Sequence, residues 1–238
     1  MNYIGASPRR LEDRTLLLGR GQYAADLNAP GQLHMRVGRS SVAHGRLRGV
    51  DVRAARRFPG VVAVWTYGDV QHLPPIAVRL TRVGGLEPYL QTVLARERVR
   101  YVGDPVAVVF AEDPYAAEDA AELVELDIEE LPAVVSPFDG EEIALVEKGY
   151  GDLEAAFQKS FLIINLEVAV GRHSAVPLET RGALAELDQA SGVLTMRGAA
   201  KVPHYNRDQV ARMLDWPGDM VHLIQGHVGG GFGVRGEL

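Results

Sequence analysis

Between Pro105 and Glu130 the apolar pattern changes period twice, and this succession constrains the fold more than any other stretch. Residues 105–110, Pro-Val-Ala-Val-Val-Phe, form a continuous apolar run, which predicts a strand buried on both faces. Asp113 then offers a capping oxygen, and Pro114 has the fixed φ that suits a first helical position. Ala117, Ala120, Ala121 and Val124 recur at helical spacing, with Glu118, Glu122 and Glu125 on the other face. From Val124 the period becomes two, so the helix should stop near Leu123. A half-buried strand carrying Leu126 and Ile128 follows, ended by Leu131-Pro132.

The remainder mixes strands and helices without a steady alternation, which makes α+β the expected class. Strands are predicted at Leu33–Gly38, Leu47–Val52, Val61–Thr66, Ser160–Val170, Ala183–Asp188, Gly192–Arg197 and Met220–Gln225. A short helix over Val52–Arg57 should end at Pro59-Gly60. A second runs from the cap Asp152 through Gln158, and a third starts at Pro203 with Val210, Met213 and Leu214 on one face. Residues 16–31 read as a loop-rich opening and 71–96 as irregular. Proline, glycines and acids over 136–151 predict a linker, dividing the chain into 1–135 and 152–238.

Composition excludes several functions. With Cys 0, disulfides, a thiol nucleophile and cysteine-held zinc or iron–sulfur centres within the chain are ruled out. A formal net charge of −6 argues against nucleic acid as a partner. The sequence holds no apolar run of the roughly 18–20 residues needed for a membrane span. Its first residues lack the apolar core of a secretory signal, so a cytoplasmic protein is expected.

Chemistry concentrates in the last residues. Gly226, Gly229, Gly230, Gly231, Gly233 and Gly236 crowd around Phe232 after a predicted strand. Three readings stand at this level. Gly231 to Gly236 fits the G-x-G-x-x-G dinucleotide fingerprint, but the helix and acidic strand that must follow are missing. The run also suits a tight turn. It equally suits a loop whose backbone N–H groups approach a cofactor.

Several motifs in one order carry a family resemblance. Gly19, Tyr23 and Asp26 lead into Arg39, Ser40, Ala43 and His44, then Pro59, Gly60 and Val61. The stretch 99–134, the Pro-Leu-Glu-Thr-Arg-Gly at 177–182, the helix from Pro203 and the Gly-Gly-Gly-Phe-Gly at 229–233 follow. Together they resemble the large, molybdenum-cofactor-binding subunit of the xanthine dehydrogenase, aldehyde oxidase and carbon monoxide dehydrogenase family.

The resemblance implies an α/β hammerhead domain over 1–135 and the beginning of a molybdopterin-binding domain over 152–238. It implies a molybdenum–molybdopterin cofactor, the cytosine dinucleotide form among the alternatives. FAD and 2Fe-2S centres would sit on partner subunits, and a small aldehyde, N-heterocycle or CO would be oxidised. Gly230, Gly231, Phe232 and Gly233 would contact the cofactor, Phe232 through its backbone. No catalytic or metal-ligating residue is expected in this chain, because the family's general base would lie beyond Leu238. A chain truncated or split there, inactive without the rest of the large subunit, is therefore expected. A non-catalytic module retained for assembly is the competing reading.

One departure stands out. Where family members carry Gln before the Pro-His helix start, this chain has Lys201. A lysine offers donors but no acceptor, and it could bind an oxo group, bind a substrate carboxylate or face solvent. Among the remaining candidates, His44 reads as a hydrogen-bonded turn residue, and His222 and His227 as structural. Glu179 reads as structural too, paired with Arg181 or facing the active-site funnel.

Overall fold

The computed structural model describes residues 3–78, 83–136, 138–171 and 173–236. In chain order, the first elements are α1 (Asp13–Leu17), β1 (His34–Arg39), β2 (Gly45–Asp51), α2 (Arg53–Arg57), β3 (Val61–Thr66) and α3 (Tyr67–Val70). Then come β4 (Arg98–Val99), β5 (Pro105–Ala111), α4 (Pro114–Glu122), β6 (Glu125–Glu130) and α5 (Leu153–Lys159). The last are β7 (Ala183–Leu187), β8 (Leu194–Gly198), α6 (Pro203–Leu214) and β9 (Val221–Ile224). Contacts gather the chain into two compact units, one of residues 33–174 and one of residues 1–32 with 175–238.

In the unit of 33–174, β5 is central. It lies between β1 and β3, antiparallel to both. Ala107 and Val109 pack with Val52, Ala55, Val64 and Ala120 of α2, β3 and α4. Val106, pointing the other way, packs with Ala95 and Val99 and against Leu47 and Ile128 of the second sheet. Burial on both faces is why this strand carries no polar alternation. The second sheet, β4-β2-β6, buries one face only, and β6 alternates accordingly.

The helix expected after β5 forms as read. The Asp113 carboxylate accepts from the N–H groups of Tyr115 and Ala116, and Pro114 opens the first turn. Asp152 caps α5 in the same way through Ala155 N–H.

The Arg-Ser-x-x-Ala-His stretch is a brace for the same unit. Ser40, buried, exchanges backbone bonds with the 103–104 turn: Ser40 N–H donates to Asp104 O at 2.9 Å, and Gly103 N–H to Ser40 O at 2.7 Å. His44 Nδ1 lies 2.8 Å from Pro132 O, a structural turn contact as its sequence context suggested.

Three short elements fall where none was expected: α1 at the edge of the loop-rich opening, α3 after β3, and β4. The α3 turn is held by a capping box, in which Asp69 accepts from Thr66 N–H at 2.7 Å, a bond that apolar periodicity cannot register. The predicted strand at Ser160–Val170 is not formed. No described residue pairs with it, and it is exposed throughout. Its apolar residues favour burial, but a strand exists only when a second strand pairs with its N–H and C=O groups. Residues 138–151 form no helix or strand and are exposed, while 137 in the expected linker and 79–82 in the irregular stretch lie outside the described residues.

In the other unit, β7 and β8 form an antiparallel hairpin, its turn held by Asp188, which accepts from Ala190 N–H at 2.8 Å. The α6 helix then connects β8 to β9, which runs parallel to β8. Such a crossover needs a helix-length connection. Ala211 of α6 and Val221 of β9 are buried beneath it. The chain leaves α6 through Asp215 in the left-handed region at φ 54°.

Asp104 is only 4% exposed, and burial pushes its carboxyl up, against the opposing Arg100 N–H that donates to it at 2.9 Å. A raised folded pKa means that the fold binds a proton the unfolded chain has released. Asp104 therefore costs nothing below the usual carboxylate range, and costs progressively more as pH rises through its folded value. Asp104→Asn keeps an acceptor for Arg100 N–H and removes the buried charge. Melting curves should show the variant at least as stable as the parent at pH 7, with a smaller difference at pH 5. A clear loss at pH 7 alone would contradict this account.

Candidate functional site

The glycine-rich loop follows β9, and its conformation is set from beneath by two buried charges. Glu179 and Arg235 pair at 3.0 Å, with side chains only 8% and 4% exposed. Glu179 Oε2 also accepts from Gly229 N–H at 2.9 Å, and Oε1 from Ala24 N–H at 3.2 Å. The Arg235 guanidinium donates to Gly230 O at 3.1 Å and to Thr180 O at 3.3 Å, and it also reaches Glu179 O. Each ion is thus paired and surrounded by further hydrogen bonds, the condition under which a buried ion pair is tolerable.

Glycine at 229 follows directly. A Cβ built there would lie 2.4 Å from Glu179 Cβ, so the loop approaches the Glu179 backbone as closely as only glycine allows. Beyond it the chain turns repeatedly into the left-handed region. Gly230 sits at φ 106°, Phe232 at 46° and Gly233 at 96°. A phenylalanine at positive φ costs about 1–2 kcal/mol relative to its usual conformations. Its side chain is 74% exposed, so core packing does not hold it there. Gly231 is the exception in this run. Its φ is not positive, and a Cβ there would meet only Arg235 Cγ, at an ordinary 3.8 Å.

Five carbonyls of this loop meet donors, among them Gly230 O, which accepts from Arg235. Gly229 O accepts from Glu179 N–H, Gly231 O from Val234 N–H at 2.9 Å, Val234 O from Arg181 at 2.6 Å, and Arg235 O from Lys201 N–H at 3.3 Å. Among the described residues, the N–H groups of Gly230, Gly231, Phe232 and Gly233 have no acceptor. A run of amides left open by left-handed turns is an anion- or oxo-binding nest.

The structure brings all five expected residues to one place: Gly230, Gly231, Phe232 and Gly233 form the open stretch, and Lys201 joins it by its backbone, its side chain exposed. Arg181 does not pair with Glu179 but binds Val234 O. His227 Nδ1 accepts from Gln22 N–H at 3.0 Å and packs near the Tyr23 ring, which gives it a structural part. Among the described residues no three His, Cys, Asp or Glu side chains gather to hold a metal.

Sequence reasoning missed two features. The Gln22–Ala24 strap reaches both His227 and Glu179 from more than 150 positions away. A cavity of about 200 Å³ lies between α6 and its sheet, and Asn206 lines it with a buried, unpartnered Oδ1. The pairing of Ala24 with Glu179 leaves no trace in local pattern.

With the geometry described, relatives place the chain. Residues 18–132 match the family described as aldehyde oxidase and xanthine dehydrogenase, a/b hammerhead domain, and residues 137–238 match the molybdopterin cofactor-binding domain. The chain belongs to the molybdenum hydroxylase large-subunit family. Among its relatives, the 6-hydroxypseudooxynicotine dehydrogenase complex subunit gamma of Paenarthrobacter nicotinovorans is 39% identical over 99% of this chain and 32% of that protein. The carbon monoxide dehydrogenase large chain of Afipia carboxidovorans is 34% identical over 98% of this chain and 31% of its own length. The crystal structure of quinoline 2-oxidoreductase from Pseudomonas putida 86 superposes with a TM-score of 0.83 at 36% identity, covering 97% of this chain and 31% of that one. The chain thus spans about a third of the length of these molybdenum hydroxylases. No described helix is long and apolar enough to cross a membrane.

Gly229→Ala and Gly231→Ala should separate the two kinds of glycine. At 229 the added methyl forces a backbone shift, an overpacking cost of about 1–3 kcal/mol. At 231 it makes only an ordinary contact with Arg235 Cγ. Amide exchange of Val234 should quicken strongly in the first variant and stay close to the parent in the second. Equal behaviour of the two would mean that the Glu179 contact does not set the loop.

Proposed function

We propose that this chain supplies the hammerhead and the first cofactor-binding part of the molybdenum-cofactor subunit of an oxidoreductase. Its substrate would be a small aldehyde, an N-heterocycle or CO, and it would act only with the rest of the large subunit. The observation that carries this reading is the row of open amides from Gly230 to Gly233, standing on a buried ion pair. The fit is chemical. A pterin and a metal-oxo group present mostly acceptors, and the site presents N–H donors with no Cβ at 230, 231 or 233 to hold a ligand away.

The backbone of Gly230, Gly231, Phe232 and Gly233 would hold a molybdenum–molybdopterin, in its plain or cytosine dinucleotide form. When bound, that group supplies a two-electron redox centre. The chain's own contribution is to bind and orient. The loop amides would fix the cofactor's acceptors, and Lys201, tied to the loop's end by its backbone and exposed, would add a cation able to meet an oxo group or a substrate carboxylate. Electrons would leave through FAD-binding and iron–sulfur subunits. The relatives named as a complex subunit and as a large chain support an assembly of this kind. A cytoplasmic site fits the lack of a spanning helix among the described residues. The linker at 136–151 would separate the hammerhead from the cofactor-binding part.

The test is molybdenum content and turnover of the complex assembled with the remaining large-subunit polypeptide and partner subunits. The parent should hold stoichiometric molybdenum. Gly230→Val, at a positive φ and with a Cβ 3.2 Å from Pro177 Cβ, should lower occupancy at least tenfold. Lys201→Gln should keep the metal and change turnover or substrate choice. A fully assembled parent complex without molybdenum would leave only the assembly-module reading.

A further inference from the structure

We infer that Glu179 is a positioning residue for the cofactor loop, acting through Arg235 to turn the Gly230 carbonyl inward and so leave the amides that follow free for a ligand. The inference rests on the proposed reading that Gly230–Gly233 hold the cofactor, and it assigns a role to a carboxylate that touches no substrate.

The argument begins with what a glycine-rich stretch does unaided. Its peptides flip freely, because no Cβ penalises either sense of φ. Nothing in Gly-Gly-Gly-Phe-Gly by itself chooses outward amides over outward carbonyls, and an outward carbonyl would repel an oxo or phosphate ligand. The choice is made by cations and donors on the inner side. The Arg235 guanidinium pulls Gly230 O inward at 3.1 Å and also engages Thr180 O and Glu179 O. A guanidinium presents its donors in a rigid planar fork, so these carbonyls are held in fixed relative positions.

Arg235 in turn is fixed by Glu179. The carboxylate accepts from Arg235 Nη2 at 3.0 Å, from Gly229 N–H at 2.9 Å and from Ala24 N–H at 3.2 Å. Three segments distant in sequence therefore converge on one side chain that is 8% exposed. The backbone bond from Glu179 N–H to Gly229 O closes the same junction. A carboxylate needed only for bulk stability has no reason to take its donors from both sides of the loop's first residue. This one sets the peptide orientation where the left-handed run begins at Gly230.

The test uses the assembled complex, with Arg235→Met, Arg235→Lys and Glu179→Gln compared with the parent. Folding is checked first by circular dichroism and assembly. Molybdenum per folded complex, turnover per molybdenum and KM are then measured. The expected result is a fall of at least tenfold in molybdenum per folded complex, or in turnover per molybdenum, for Arg235→Met and Glu179→Gln. Arg235→Lys, which keeps the cation but not the fork, should recover at least threefold of that loss. KM should stay near the parent's in whatever fraction is loaded.

If the variants merely yield less folded protein, while each folded complex holds and turns over molybdenum like the parent, the pair is structural and the inference is wrong. If Arg235→Met does not fold, the Glu179→Gln and Arg235→Lys pair decides by the same ratios. A parent complex that carries no molybdenum overturns the cofactor reading itself, and the positioning role falls with it. A loaded parent with variants that are both normally loaded and normally active per molybdenum overturns the positioning role alone.

Discussion

The glycine-rich loop depends on one buried ion pair. Glu179 and Arg235 lose nearly all contact with water, and each recovers that cost through several hydrogen bonds besides the pair itself. Removing one partner of such a pair leaves an uncompensated buried charge, which typically costs about 3–5 kcal/mol. That penalty holds the loop in a conformation that a glycine-rich segment would otherwise visit only in passing. Phe232 is its clearest consequence, an exposed aromatic kept in the left-handed region without support from its own packing.

The rest of that unit serves this junction. The β7–β8 hairpin, the α6 crossover and β9 bring the loop and the start of α6 to one end of a small sheet, where Lys201 N–H reaches Arg235 O. The strap at Gln22–Ala24 closes the other side through Glu179 and His227. The unit of 33–174 is organised on a different principle. There β5 is covered on both faces, and apolar contact rather than a polar junction holds the sheets together. The polar lock at Ser40, Gly103 and Asp104 fixes one turn of that unit, and its buried acid works against stability at neutral pH.

Much of the fold was legible because it is coded locally. A cap at Asp113, a proline at 114 and a change of period at Val124 mark a helix and the next strand without reference to anything distant. The same holds for Val61–Thr66 and for the cap at Asp152. Ser160–Val170 shows where this stops. Its apolar content is higher than that of β6, yet β6 has β2 beside it and Ser160–Val170 has no described partner. In the site, composition drew attention to Gly230, Gly231, Phe232 and Gly233, because glycines in such density imply close approach or unusual φ. It did not separate Gly231, which needs neither, from Gly229, which is packed against Glu179.

The sequence by itself determined the class of fold, most helix limits, the family and the position of the loop. Each of these follows from periodicity, capping chemistry or motifs read along the chain. Only the tertiary structure decided that Glu179 belongs to Arg235 and not to its near neighbour Arg181, that Ala24 completes its shell, and that the loop's amides from Gly230 to Gly233 find no acceptor among the described residues. The physical reason is that a buried charge takes whichever partner the fold places within about 3 Å. Distance along the chain carries no information about that choice.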